Sequence, residues 1–114
     1  MIRKSYNKYQ NKRVAVDGII FDSKKEATRY KELKLLERAG KIKDLRRQVK
    51  YELQPKYKLN GKTNRSISYV ADFVYYDIDK ETEIIEDTKG FKTDVYKLKK
   101  KLFEYRYKQE INEI

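Results

Sequence analysis

The sequence predicts an α/β domain: a mixed β-sheet flanked by two helices, with a β-hairpin on its N-terminal side. Three observations carry this. Asp17-Gly18 stands between the apolar runs Val14-Ala15-Val16 and Ile19-Ile20-Phe21, a strong two-residue hairpin signal. Two segments, 27–39 and 95–105, repeat apolar residues at helical spacing. Between them, residues 66–77 carry apolar side chains on both faces of a strand, as expected in the middle of a sheet.

The elements follow in chain order. Residues 1–12 are polar and basic, with Tyr6 and Tyr9 interleaved, and read as a flexible arm; residues 13–114 form the single domain. After the hairpin, Ser23 with Glu26 three residues on fits a capping box opening the first helix. Ala27, Tyr30, Leu33, Leu36 and Ala39 make its apolar stripe, and Gly40 closes it. Residues 42–59 read as one or two strands, with Pro55 restricted to an edge or bulge. Residues 60–64 read as a turn. In the strand over 66–77, Ile67, Tyr69, Ala71, Phe73 and Tyr75 share one face, and Val70, Val74 and Tyr76 the other. A turn at 77–80 leads into a strand over 82–88. The second helix spans about 94–108 with Val95, Leu98, Leu102 and Tyr105 inward, and residues 111–114 add a short strand.

Composition narrows the function. The chain has 114 residues, with 29 Lys and Arg against 18 Asp and Glu, a formal net charge of +11. Such an excess points to a polyanionic partner, nucleic acid first and an anionic membrane surface second. Eleven tyrosines suit a shallow core and a wet binding face. With no cysteine and no histidine, disulfides, thiolate or imidazole zinc sites, Ser-His-Asp triads and histidine-base nucleases are excluded. The expected location is the cytoplasm, since neither a signal peptide nor a transmembrane run is visible.

The remaining chemistry is that of carboxylates, lysine and tyrosine, with or without a hard metal ion. Asp87 and Lys89 alternate onto one face of their strand, roughly 6.5 Å apart at about 3.3 Å per residue, and Glu86 points the other way. Asp72 interrupts an apolar strand that a short turn makes the antiparallel neighbour of Asp87. Two carboxylates brought together repel, and a hard cation with oxygen ligands, Mg2+ or Mn2+, relieves the repulsion. Lys89 beside them can stabilise charge developing on a phosphate. The competing reading is a structural ion pair between strands. Glu26 is a third candidate carboxylate, although its place in the capping box explains it as well. Gly90 after Lys89 would let a DNA backbone approach closely. Lys97 and Lys100 on the second helix, with Lys24 and Lys25 on the first, are candidate phosphate contacts or simply a solvated face. Tyr96 is either packing or a substrate contact.

Glu26 in Ser-Lys-Lys-Glu-Ala, Asp72 in Tyr-Val-Ala-Asp-Phe and Asp87 with Lys89 in Glu-Asp-Thr-Lys-Gly resemble the PD-(D/E)XK nuclease pattern. Here Ala71 stands where the name of the superfamily has proline. More narrowly, residues 6–114 resemble a small phage and prophage family of unknown function, most specifically over residues 16–27. The resemblance implies a restriction-endonuclease-like α-β-β-β-α-β core and Mg2+- or Mn2+-dependent DNA cleavage. Asp72, Asp87 and Glu26 would bind the metal, and Lys89 would be the catalytic lysine. The small size is similar to that of phage Holliday-junction resolvases, so the expected partner is duplex or branched DNA of phage replication and recombination, bound by a homodimer. The alternative is a non-catalytic DNA-binding accessory protein of the same fold.

Overall fold

The computed structural model describes residues 13–89 and 91–114; the basic arm read over 1–12, with Tyr6 and Tyr9, and the approach role read for Gly90 lie outside the described residues. The chain runs β1 (Val14–Val16), β2 (Ile19–Phe21), α1 (Lys24–Arg38), β3 (Ile42–Gln54), β4 (Tyr57–Leu59), β5 (Lys62–Asn64), β6 (Ile67–Asp77), β7 (Thr82–Asp87), α2 (Asp94–Tyr107) and β8 (Ile111–Glu113). The central sheet has the order β3-β6-β7-β8. Its first two pairings are antiparallel and β7–β8 is parallel, with Asp87 opposite Glu113. The expected α/β class is therefore observed, with the elements of an α-β-β-β-α-β core following the N-terminal hairpin.

Local chemistry explains the boundaries. Asp17 and Gly18 adopt φ of 53° and 76°, the left-handed pair that a tight β1–β2 turn requires. The Ser23 hydroxyl accepts the Glu26 N–H at 3.1 Å and caps α1. At the other end, the N–H groups of Gly40 and Lys41 donate to the Glu37 and Leu36 carbonyls, a Schellman closure made possible by φ +76° at Gly40.

The stripe expected on α1 is only half correct. Ala27, Tyr30 and Leu33 are buried, but Leu36 and Ala39 are exposed. A spacing of three falls short of the 3.6-residue turn, so each step drifts by about 60° and five such residues cannot share one face. The expectation for α2 is overturned. Val95, Leu98, Leu102 and Tyr105 face outward, and Tyr96, Phe103 and Tyr107 face the sheet. Both sets recur at helical spacing. The aromatic set wins because rings bury about 150–250 Å² each and meet partner rings: Phe103 lies 4.9 Å from Tyr51 and 5.3 Å from Tyr69, centroid to centroid.

Two cores cover the two faces of the sheet. Under α1 lie Phe21, Ala27, Tyr30, Leu33, Ile42, Phe73 and Tyr75; under α2 lie Tyr69, Ala71, Val74, Ile85, Tyr96, Phe103 and Ile111. Strict alternation would put Tyr69, Ala71, Phe73 and Tyr75 on one face, and this expectation fails. β6 inverts its pleat between Ala71 and Phe73. β3 inverts with it, since Leu45 packs under α1 whereas Val49, Tyr51 and Leu53 pack under α2. The inversion centres on Gln48, held at φ 51°, in the gap between the pairs Arg47↔Phe73 and Val49↔Ala71. A left-handed residue without glycine's freedom costs on the order of 1 kcal/mol or more. The residue across from it is Asp72.

Candidate active site

Asp72 and Asp87 lie on adjacent antiparallel strands, continuing the Phe73↔Glu86 pairing by one residue. Asp72 is held from two sides. Its Oδ2 accepts the Thr88 N–H at 2.8 Å and the Thr88 hydroxyl at 2.7 Å. Its Oδ1 accepts from Gln48 Nε2 at 3.2 Å, and the same amide nitrogen donates to Glu26 Oε2 at 3.1 Å. Glu26 has therefore been turned away from helix capping. Ser23 makes its half of the box, while the Glu26 carboxylate faces Gln48 and, at 3.6 Å, the Arg47 guanidinium. Burial, followed by the Asp72 charge, raises the pKa of Glu26.

Asp87 is fully buried. Its Oδ2 accepts the Tyr69 hydroxyl at 2.6 Å, while its Oδ1 has no hydrogen-bond partner. Lys89 Nζ stands 3.8 Å from that oxygen and 5.3 Å from the centre of the Tyr96 ring. Burial pushes the Asp87 carboxyl up to about 6, and the neighbouring Asp72 adds to the shift, against the lowering effects of Tyr69 and Lys89. Burial first, and its bond to Asp87 second, raise the Tyr69 hydroxyl.

Two clefts meet at Lys89. One, of about 450 Å³, is lined by Ser23, Glu26, Gln48, Asp72, Thr88 and Lys89 among others. The other, of about 320 Å³, is bordered by Tyr69, Lys89, Phe91, Thr93, Tyr96 and Lys99. The sequence-predicted set Glu26, Asp72, Asp87 and Lys89 is thus assembled in one neighbourhood, with Glu26 joined through Gln48. Among the described residues, no three carboxylates converge closely enough to hold one metal ion between them. The donor set nonetheless fits a hard cation at the Asp72–Asp87 pair. It is all oxygen, and Asp87 Oδ1 is a buried acceptor with no donor.

The expected phosphate contacts separate. Lys24 and Lys25 line a different cleft beside Arg29 and Ile114. Lys100 is engaged with Glu113 at 3.6 Å, and Lys97 is exposed. Tyr96 is packing: it is buried and its hydroxyl donates to Glu113 at 2.8 Å. That bond, ahead of the nearby lysines, lowers the Glu113 pKa. Sequence reasoning missed Gln48, Tyr69 and Lys99. Gln48 occupies an ordinary outward position of an alternating strand, and Tyr69 reads as core, so neither carried a signal.

No helix among the described residues is long and apolar enough to cross a membrane. No curated protein and no solved structure matches the chain. A family model described as "Protein of unknown function (DUF1064)" matches residues 6–113, and the chain belongs to that family.

Proposed function

We propose that the protein is a Mg2+- or Mn2+-dependent endodeoxyribonuclease of the PD-(D/E)XK type, working in the cytoplasm on phage replication and recombination DNA, branched DNA included. The observation that carries this is the buried Asp87 Oδ1, without a hydrogen-bond partner and 3.8 Å from Lys89 Nζ. A buried carboxylate is ordinarily paired or bound to a metal. This one stands on the strand next to Asp72, which lines an open cleft together with Lys89.

Asp72 and Asp87 would hold the ion, and Glu26 would join them once its carboxylate is released from the Gln48 amide. When bound, the metal supplies Lewis-acid polarisation of the scissile phosphate and a water of lowered pKa. The protein's own residues do the positioning. Thr88 fixes Asp72 by two hydrogen bonds, and Tyr69 fixes Asp87 by one. Lys89 brings a positive charge to the place where negative charge gathers on the phosphate. A homodimer supplies the second site that cleavage of both strands requires.

A second reading, a DNA-binding accessory protein without catalysis, is favoured by one feature. The Gln48 amide donates to both Glu26 and Asp72, with Arg47 beside the first and Thr88 on the second, so both carboxylates are engaged without a metal ion. A Mg2+ and Mn2+ titration with supercoiled plasmid and a synthetic four-way junction separates the readings. Nicking that disappears in folded Asp72→Asn and Lys89→Ala variants supports the nuclease. Nicking that survives in both sinks the site assignment, and duplex binding without nicking of any substrate supports the accessory protein.

A further inference from the structure

β3 and β6 do not end where the central sheet ends. The last pair of the sheet is Gln54↔Ile67, and the next ladder, β4–β5, begins at Tyr57↔Asn64. The two ladders share one register, since 54 and 67 sum to the same value as 57 and 64. They are one long hairpin interrupted at Pro55, which has no N–H to give the ladder. The tip is Asn60-Gly61, with φ of 51° and 75°, a two-residue turn that matches the strand twist. The turn expected over 60–64 is therefore shorter than predicted, and Lys62–Asn64 is strand.

This ribbon packs on almost nothing. Tyr57 to Thr63 are all exposed, Leu59 at 60%. Rooted in β3 and β6, the ribbon holds its register without a core of its own and leaves its exposed surface open to a partner. Its charge says which kind. Residues 55–66 contain Lys56, Lys58, Lys62 and Arg65 and no acid. Alternation and pairing put Tyr57, Leu59, Lys62 and Asn64 on one face and Lys56, Lys58 and Thr63 on the other, so both faces carry cations. A surface facing one phosphate strand needs charge on one side; a ribbon seated in a groove meets phosphates on both sides. The major groove of B-DNA, about 12 Å wide, admits a two-stranded ribbon.

From these observations we infer that the β4–β5 ribbon is a DNA arm that enters the major groove of the duplex flanking the scissile phosphate. The inference rests on the nuclease reading for its substrate. It adds that this substrate extends about one helical turn to the ribbon side. Five residues of β6 separate Asp72 from Ile67, about 17 Å at 3.3 Å per residue, and the ribbon adds a similar length. The sum is close to the roughly 34 Å of one DNA turn.

The test compares two charge-matched variants by fluorescence anisotropy on a 30-base-pair duplex in EDTA, where no cleavage intervenes. One is Lys56→Gln, Lys58→Gln, Lys62→Gln and Arg65→Gln. The other, Lys31→Gln, Lys41→Gln, Lys43→Gln and Lys80→Gln, removes the same charge from exposed positions outside the ribbon. Losing about four phosphate contacts should weaken the ribbon variant roughly 10²- to 10³-fold and flatten its salt dependence by about 3.6 in log–log slope. The control should lose less than about tenfold. Both variants should melt with the wild type. Because the protein has no cysteine, Lys58→Cys and Lys80→Cys each carry a single photo-crosslinker, and only residue 58 should crosslink to the duplex. Equal losses in the two variants, or no loss in either, overturn the ribbon arm while leaving a DNA-binding nuclease standing. Failure of the wild type to bind the duplex likewise overturns the ribbon arm. Metal-dependent nicking, measured separately, decides the nuclease reading alone.

Discussion

Glu86 and Asp87 are neighbours in one strand, both buried, and the protein treats them in opposite ways. Glu86 faces α1 and is complete. Arg29 donates to it twice, at 2.8 and 2.6 Å, and the Tyr75 hydroxyl donates a third bond. Burial, and next the bond to Glu86, raise the Tyr75 hydroxyl, and the Glu86 bond is the foremost cause that raises Arg29. Asp87 faces α2 with one oxygen bound to Tyr69 and the other bare. Under the proposed function, the difference separates a structural carboxylate from one kept for chemistry. Burial is the same; the supply of donors is not.

The largest effect should come from Asp87→Asn. Under the proposed function it should lower metal-dependent nicking by about 10³-fold or more, and it should leave the melting midpoint at or above that of wild type, because it removes a buried charge. A variant that melts far below wild type would make Asp87 structural like Glu86.

The counterpart is Arg29→Met, which leaves Glu86 buried without a counter-charge, held only by the Tyr75 hydroxyl. Urea unfolding should show a loss of about 3–5 kcal/mol. A loss under about 1 kcal/mol would erase the contrast between the two acids.

The pH dependence is smaller. The folded-state pKa of Asp87, about 6, exceeds its ordinary 3.8, so the folded protein binds the proton more tightly than the unfolded chain. This contribution is full below the ordinary value and is lost as pH rises through about 6. In EDTA, stability should fall between pH 4.5 and 7.5 by about 2 kcal/mol more in wild type than in Asp87→Asn. Parallel pH profiles of the two proteins would refute it.

The smallest effect sharpens the view of α2. Lys97 is exposed with no ion pair among the described residues, whereas Lys100 is held by Glu113. Lys97→Ala should reduce the salt slope of duplex binding by about 1, and Lys100→Ala by less. Equal slopes for the two variants would show that the ion pair does not withhold Lys100 from phosphate.

Much was legible in the sequence because it is encoded locally. Asp17-Gly18 dictated a hairpin, Ser23 and Gly40 bounded a helix, and the short turn after Asp77 made β6 and β7 antiparallel neighbours. That pairing alone brought Asp72 beside Asp87, and the gap of one residue put Lys89 within reach of Asp87. The +11 charge pointed to a polyanionic partner, and the absence of histidine and cysteine left carboxylates, lysine and tyrosine as the side chains open to chemistry. What only the tertiary structure decided depends on competition between distant residues. α2 offered two apolar stripes, and the rings waiting on β3 and β6 chose the aromatic one. β3 and β6 inverted their pleat together at Gln48 and Asp72, which no alternation within either strand reveals. That inversion placed the Gln48 amide between Glu26 and Asp72 and so decided whether Glu26 capped its helix or faced the site. Helix and strand patterns are written in each segment; which polar atom is left without a partner is a property of all of them packed together.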